Sequence, residues 1–285
     1  MIEKFRLTSA KPVSTPMEPN TYFLIKQSPS THKQVSQMQG VPYREAIGCI
    51  LWPAVVSRLD ITFAVGILSQ FIQNPEPVHW EAVKWVIVYL GTMKNLWLTF
   101  GGKSETLVKG YCDVDWASQK HRHLILGYSF HFRQGAISWS SKKHNIIALS
   151  STKAEYITQM HAAKEAMWMK SFLEEIWELQ WELIRVSCDN QGAIVLVKDS
   201  KFHSWMKHID LCYHFIREVV KDGRLMMKYI PTEKNVSDIF TKALTWPKFV
   251  HFVERLGLRE FKKESDWDSD KRKEVLELVY FTDRR

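Results

Sequence analysis

The sequence has few cysteines and no pattern among them. Four stand at positions 49, 112, 188 and 212. None forms a CxxC pair and no zinc spacing exists, which excludes a zinc-stapled fold and fits a reducing compartment. Long hydrophobic runs are also missing. The longest, Ala46 to Val56, is interrupted by Pro53 and is too short to span a bilayer. Met1 to Pro12 is charged and lacks the apolar core of a secretory signal. These absences predict an intracellular protein, cytoplasmic or nuclear, with no membrane contact. The charge is not balanced: 39 Lys and Arg against 31 Asp and Glu leave a net +8, which suggests a polyanionic partner. At 285 residues the chain can build a sizeable core in one or two domains.

Leu107 to Ala117, LVKGYCDVDWA, is the most informative stretch. Val108, Gly110, Cys112 and Val114 alternate with Lys109, Tyr111, Asp113 and Asp115, the period of two expected of a strand. Acidic side chains inside such a strand are costly to bury unless something positive is bound. Hard divalent cations take carboxylate oxygens and are the usual solution. Three further acids follow beside helix-start signals: Glu155 in SSTKAEY, Asp189 in VSCDNQGA and Asp238 in NVSDIFTK. One strand acid followed by three such acids is the layout of a two-metal nuclease. Each acid also has a local explanation. Thr152 to Glu155 reads as a capping box, Asp189 as an N-cap, and Asp238 as an acid in the first turn after a cap.

In order, residues 1–39 are rich in Ser, Thr, Pro, Lys and Gln and read as a flexible lead-in. A helical segment over 40–100 is expected, with helices at Tyr43 to Val56, Ile61 to Ile72 and His79 to Met93, and no chemistry of its own. From 105 the period changes. Extended segments are expected at 106–116, 126–132 and 135–140, with a hairpin turn at Gln134-Gly135. A long helix follows from Thr152 to about Leu179, then a strand (Ile184 to Cys188) and a helix from Asn190. Another helix (His208 to Lys221), a strand (Leu225 to Ile230) and a helix near Val236 complete the series. The predicted class is α/β, a mixed sheet with helices on its faces. Residues 259–285 read as a charged tail with one weak helix, Lys271 to Val279.

The stretches VPYREAIG, DITFAVG, HWEAVKWVIVYL, GYCDVDWA, AISWSSKK, ALSSTKAEY, AAKEAMW, CDNQGAI, FHSWMKHIDLCYHFIRE and YIPTEKNVSDIFTK run in order from about 41 to 258. Together they resemble the C-terminal end of a copia-type retrotransposon Pol polyprotein: its ribonuclease H domain and the segment leading into it. The resemblance implies an RNase H-like mixed five-stranded sheet over 105–258. It also implies magnesium-dependent (or manganese-dependent) two-metal cleavage of RNA in RNA–DNA hybrids. The catalytic and metal-holding acids then fall on Asp113, Glu155, Asp189 and Asp238, with Asp115 a neighbour. Lys142, Lys143 and His144, between a strand and the long helix, and Lys207, His208 and Arg217, on or before a later helix, are candidate contacts to the hybrid.

The sequence also departs from the family. SQKHRHLILGY replaces the usual small hydroxyl residues after the first strand, so Leu124, Ile125 and Leu126 either obstruct the hybrid or bury themselves as the start of the second strand. Burial is the expectation, because they run directly into Gly127-Tyr128. No polymerase palm with paired aspartates precedes the domain, which implies a fragment or a decayed copy. An active ribonuclease and a catalytically degenerate nucleic-acid-binding remnant are therefore both consistent with the sequence. An integrase or resolvase is disfavoured by ALSSTKAEY and KHIDLCYHFIRE.

Overall fold

The computed structural model describes residues 1–19, 21, 23, 36, 38–101, 108–115, 124–144, 150–177, 183–198 and 210–260. The helical segment comes first: α1 (Tyr43–Val56), α2 (Thr62–Leu68) and α3 (Pro77–Thr92). The expected single helix over 61–72 is divided. Short 3₁₀ turns at Leu59–Ile61 and Ser69–Phe71 flank a seven-residue α2. Pro77 starts α3, where it is tolerated because a first-turn N–H has no intrahelical partner. Tyr43 Oη donates to the Leu68 carbonyl at 2.8 Å and ties α1 to α2. The lead-in is not loose where it is described. Met17 is buried, Ile2 and Phe5 pack on the helices, and Trp85 Nε1 donates to the Thr15 carbonyl at 2.8 Å. Polar composition concealed these few apolar anchors.

A short strand β1 (Leu96–Leu98) leads to the sheet: β2 (Val108–Asp115), β3 (Leu124–Phe132), β4 (Gly135–His144), β5 (Ile184–Cys188) and β6 (Leu225–Tyr229). The order is β4-β3-β2-β5-β6. The first three strands form an antiparallel meander, and β5 and β6 run parallel to β2. This is the expected RNase H-like mixed sheet. The turn between β3 and β4 lies one residue earlier than expected. Arg133 (φ 44°) and Gln134 (φ 71°) take the left-handed positions. Gly135 instead opens β4, where a Cβ would stand 2.5 Å from the Thr99 carbonyl oxygen.

Helices cover both faces. α4 (Ser151–Trp177), α5 (Gln191–Lys198) and α6 (Asp210–Lys221) lie on one, over Cys112, Val186, Cys188 and Met227. On the other, a core containing Tyr111, Ile125 and Ala136 is shared by α1 to α3, a 3₁₀ segment (Val236–Phe240) and α7 (Trp246–Arg255). The predicted final helix near Val236 is thus this 3₁₀ turn, and the α-helix begins ten residues later. A last strand, β7 (Leu258–Glu260), pairs antiparallel with β1. The helical segment and the sheet domain therefore share one core. No helix among the described residues is long and apolar enough to cross a membrane. The expected tail helix, Lys271 to Val279, lies outside the described residues.

Candidate metal and nucleic-acid site

The strand pattern delivers the acids to one end of the sheet. Asp113 lies near the end of β2, and Asp189 directly follows the parallel neighbour β5. Glu155 reaches in from the first turns of α4 and Asp238 from the 3₁₀ segment. Carboxylate oxygens of Asp113, Asp189 and Asp238 all lie within 4.8 Å of one another. Glu155 is not in that tight set, but its charge acts on the same groups.

The local explanations fail for Glu155 and Asp189, because a neighbour does the capping, whereas Asp238 is the first-turn acid after a cap that its sequence suggests. Ser150 Oγ accepts from Lys153 N at 3.3 Å, so Glu155 stands beyond the cap of α4. Asn190 Oδ1 accepts from Ala193 N at 2.9 Å and caps α5 in place of Asp189. Asn235 Oδ1 accepts from Ser237 N and caps the 3₁₀ turn. Asp113, Asp189 and Asp238 meet in the cluster, with Glu155 beside it.

Close backbone approach assembles it. Gly127 faces Asp113 across the β2–β3 ladder, and a Cβ there would stand 2.7 Å from Thr241 Cγ2 and 3.1 Å from the Ser237 carbonyl oxygen. Its missing side chain lets the 3₁₀ segment settle beside the strand. Asn235 Nδ2 then donates to the Cys112 carbonyl at 2.9 Å, and the Thr241 hydroxyl donates to Asp113 Oδ2. Thr232 Oγ1 donates to Asp189 Oδ2 at 2.7 Å.

Burial and mutual repulsion govern the charges. Asp113 is buried, and its pKa is pushed up to about 7, first by burial and then by Asp238, with Lys242 and the Thr241 hydroxyl opposing. Glu155 is raised well above the carboxylate range by burial and then by the charges of Asp113 and Asp189. Its Oε2 is buried without a hydrogen-bond partner. Asp238 is fully buried but paired: Lys248 Nζ stands 2.5 Å from Oδ2 and Lys242 Nζ 3.0 Å from Oδ1. Burial works against the Lys242 ammonium, but Asp113, Asp238 and Asp115 outweigh it and its pKa stands above the usual value. Asp115 lies outside the oxygen cluster, and its charge also acts on Lys242.

A buried carboxylate oxygen without a partner, beside three converging acids, is the donor set that hard divalent cations take. Thr241, Lys242, Lys248 and Thr232 were not singled out from the sequence, and Asn235 only as a cap. The one available signal was spacing: Thr241 and Lys242 follow Asp238 by one turn.

The basic candidates divide. Lys142, Lys143 and His144 are the last residues of β4 rather than a turn after it, since the strand runs four residues past its expected end. Their β3 partners, Leu126, Ile125 and Leu124, lie beside the ends of β2 and β3, so they share the acids' end of the sheet. Lys142 is exposed, Lys143 donates to Gln70 Oε1 at 2.9 Å, and the His144 ring packs edge-on against His161. Arg217 turns back onto α5: its Nε donates to the Leu196 carbonyl at 3.1 Å and its Nη2 is buried without a partner. It ties α6 to α5. Lys207 and His208 lie outside the described residues. Leu124, Ile125 and Leu126 are all buried as the first residues of β3. They fill the core, as expected of the start of the second strand, whereas 118–123 lies outside the described residues.

No protein-family model matches the chain. It is 42% identical over 259 residues to the retrovirus-related Pol polyprotein from transposon TNT 1-94 of Nicotiana tabacum, covering 90% of this chain and 19% of that protein. To the Pol polyprotein from transposon RE1 of Arabidopsis thaliana it is 34% identical, covering 90% and 17%. The solved LC11-RNase H1 in complex with RNA/DNA hybrid is 16% identical, with a TM-score of 0.34, covering 45% of this chain and 88% of that one. The chain spans about a fifth of the length of the curated relatives it matches. Over nine-tenths of its length the chain is thus similar to copia-type retrotransposon Pol polyproteins.

Proposed function

We propose that the chain is a divalent-metal-dependent ribonuclease that cuts the RNA strand of RNA–DNA hybrids, acting inside the cell. One observation carries the reading: three carboxylates from separate elements converge within 4.8 Å, beside a buried Glu155 oxygen that has no partner. Asp113, Asp189 and Asp238 fit a divalent cation, magnesium first and manganese as a substitute, with Glu155 adding charge. Such a cation supplies an activated water and charge stabilisation at the cleaved phosphodiester. The protein's part is to hold and orient. The Thr241 hydroxyl fixes the Asp113 carboxylate, Thr232 fixes Asp189, and the Asn235 amide locks the 3₁₀ segment to β2.

Lys142, Lys143 and His144 lie where a polyanion would pass, and a hybrid offers 2′-hydroxyls on one strand only, which distinguishes that strand from DNA. The unit proposed to work is 105–258, with 40–100 as its support through the shared core.

A second reading, a binding remnant without catalysis, draws on the two lysines that occupy Asp238. A labelled RNA–DNA hybrid incubated with the chain, with and without magnesium, separates them. Cleavage of the RNA strand only with magnesium is expected. Wild-type protein that binds magnesium and leaves the hybrid whole would establish the remnant.

A further inference from the structure

The sheet face that carries the acids continues past them. Asp113 shares its side of β2 with Lys109 and Tyr111, because side chains along a strand alternate between faces. The register extends that side across the neighbouring strands. Lys109 lies opposite Arg185 of β5, and Arg185 opposite Met226 of β6. One step nearer the acids, Tyr111, Ser187 and Lys228 form the next row. The helical core of this side packs on Tyr111, Ile125 and Ala136, whereas over β5 and β6 Arg185 and Lys228 are exposed and Met226 is 42% exposed. Among the positions of β2, β5 and β6 that face this way, acids occur only at the end, at Asp113 and Asp115. Arg185 and Lys228 have no ion-pair partner among the described residues. Arg255 of α7 lines the inner side of this strip. Its guanidinium lies over the Tyr111 ring, 5.8 Å from the centroid, and its Nη1 donates to the Lys234 carbonyl at 2.9 Å. The charges of Lys109 and Arg255 both act on buried His131, adding to burial in pushing its pKa down to about 3, so both stand near it.

We propose that this open strip is a track for the RNA strand of the hybrid where it runs on beyond the acids, with Lys109, Arg185 and Lys228 meeting its phosphates. Charge complementarity names the occupant: basic side chains in rows without acids match a phosphodiester backbone. Continuity names the strand. The two rows lie ~7 Å apart and the farther one ~13 Å from Asp113, at ~3.3 Å per residue. The strand whose phosphodiester meets the acids therefore reaches both rows within a few nucleotides. Width sets the form. From β2 to β6 is two strand spacings, ~10 Å, with Arg255 as a wall on one side, which suits a single strand and not a duplex. Lys228 on an edge strand also blunts that edge against pairing with other chains, a role that needs no ligand and that the following test separates.

This inference rests on the hybrid reading above, and binding tests it without relying on cleavage. The full chain, with Ca²⁺ in place of Mg²⁺, is titrated by fluorescence anisotropy against a labelled blunt RNA–DNA hybrid. The same hybrid is then given a single-stranded extension of RNA, or of DNA, at either end. An RNA extension at one end should tighten binding about tenfold at low salt, and a DNA extension should not. Arg185→Gln with Lys228→Gln should remove that gain and lower the slope of log affinity against log salt by about 1.4, at ~0.7 per contact. Blunt-hybrid affinity should stay within about twofold. Arg185→Lys with Lys228→Arg should restore the gain. Arg44→Gln with Lys94→Gln, which takes the same charge from exposed positions of the helical segment, should keep it. The inference is overturned by no gain from RNA, by a gain from DNA instead, by a gain that survives Arg185→Gln with Lys228→Gln, or by an equal loss in the Arg44 and Lys94 control. In each of those cases binding of the blunt hybrid leaves the ribonuclease reading standing. A wild type that binds no hybrid would overturn both.

Discussion

Two groups of buried carboxylates in this molecule are built on opposite terms. In the helical segment Asp60 is saturated: Arg58 donates to it from Nε at 3.0 Å and from Nη2 at 2.7 Å, and Tyr89 Oη donates at 2.6 Å. At the sheet end, Asp113 and Glu155 are equally buried, repel each other, and leave an oxygen without a donor. Arg58 also donates to the Met93 carbonyl at 3.0 Å, which fastens the 3₁₀ turn to the end of α3. A buried acid whose lone pairs are all taken holds structure together. One kept short of donors by the shape around it is set up to receive a cation. Burial alone does not separate the two cases; the tally of donors does.

The largest effect should come from breaking the saturated group. Arg58→Met leaves Asp60 buried with Tyr89 alone, and removing one partner of a buried pair costs about 3–5 kcal/mol. Chemical denaturation should show that loss, with Mn²⁺ affinity of the folded fraction unchanged. A loss under 1 kcal/mol would mean that the pair is dispensable. Asp113→Asn should do the reverse. Hybrid cleavage should fall on the order of 10²- to 10³-fold, as for loss of one transition-state-stabilising group, with hybrid binding intact. Stability at neutral pH should not fall, because a repelled charge has been removed.

A pH titration of stability sharpens the contrast. Asp113 has a folded-state pKa of about 7 against an ordinary value of 3.8, so between those values the folded chain binds the extra proton. Stability without metal should therefore decline as pH rises from about 4 to 7, on the order of 4 kcal/mol. Asp113→Asn should make the curve shallower, with Glu155 still contributing in the same direction, and a wild-type curve that is already flat would contradict the raised pKa. The smallest effect belongs to the basic end of β4. Replacing Lys142 and Lys143 together by Ala should reduce the slope of log hybrid affinity against log salt by about 2 if each meets a phosphate. An unchanged slope would remove both from the interface.

Much of this was legible in the sequence, and the parts that were not share a cause. The period-two stretch around Asp113 located β2, and the long apolar stripe in 152–179 located α4, because each pattern repeats often enough to be read. The four acids were legible as a set only, since each singly resembled a cap. The caps, Ser150, Asn190 and Asn235, sit within five residues of Glu155, Asp189 and Asp238, and all three offer a side-chain oxygen as an acid does. β1 and β7 were missed because three residues hold no period. The bond from Arg217 to the Leu196 carbonyl was not legible, because a helical position does not say whether a guanidinium turns outward or back onto a neighbouring carbonyl. Lys242 and Lys248 were missed because their role exists only after the 3₁₀ turn has brought Asp238 beside Asp113.

The pairing of Leu96–Leu98 with Leu258–Glu260 has a consequence for how the chain is made. The helices of residues 43–92 leave the ribosome early, yet Phe249, Phe252, Leu256 and Leu258, which complete their core, are translated last among the described residues. At roughly 5–20 residues per second, that delay is on the order of 10–30 s. Through this interval the nascent chain displays unfinished apolar faces of α1 to α3, and a ribosome paused before Phe249 would leave them for a chaperone to cover.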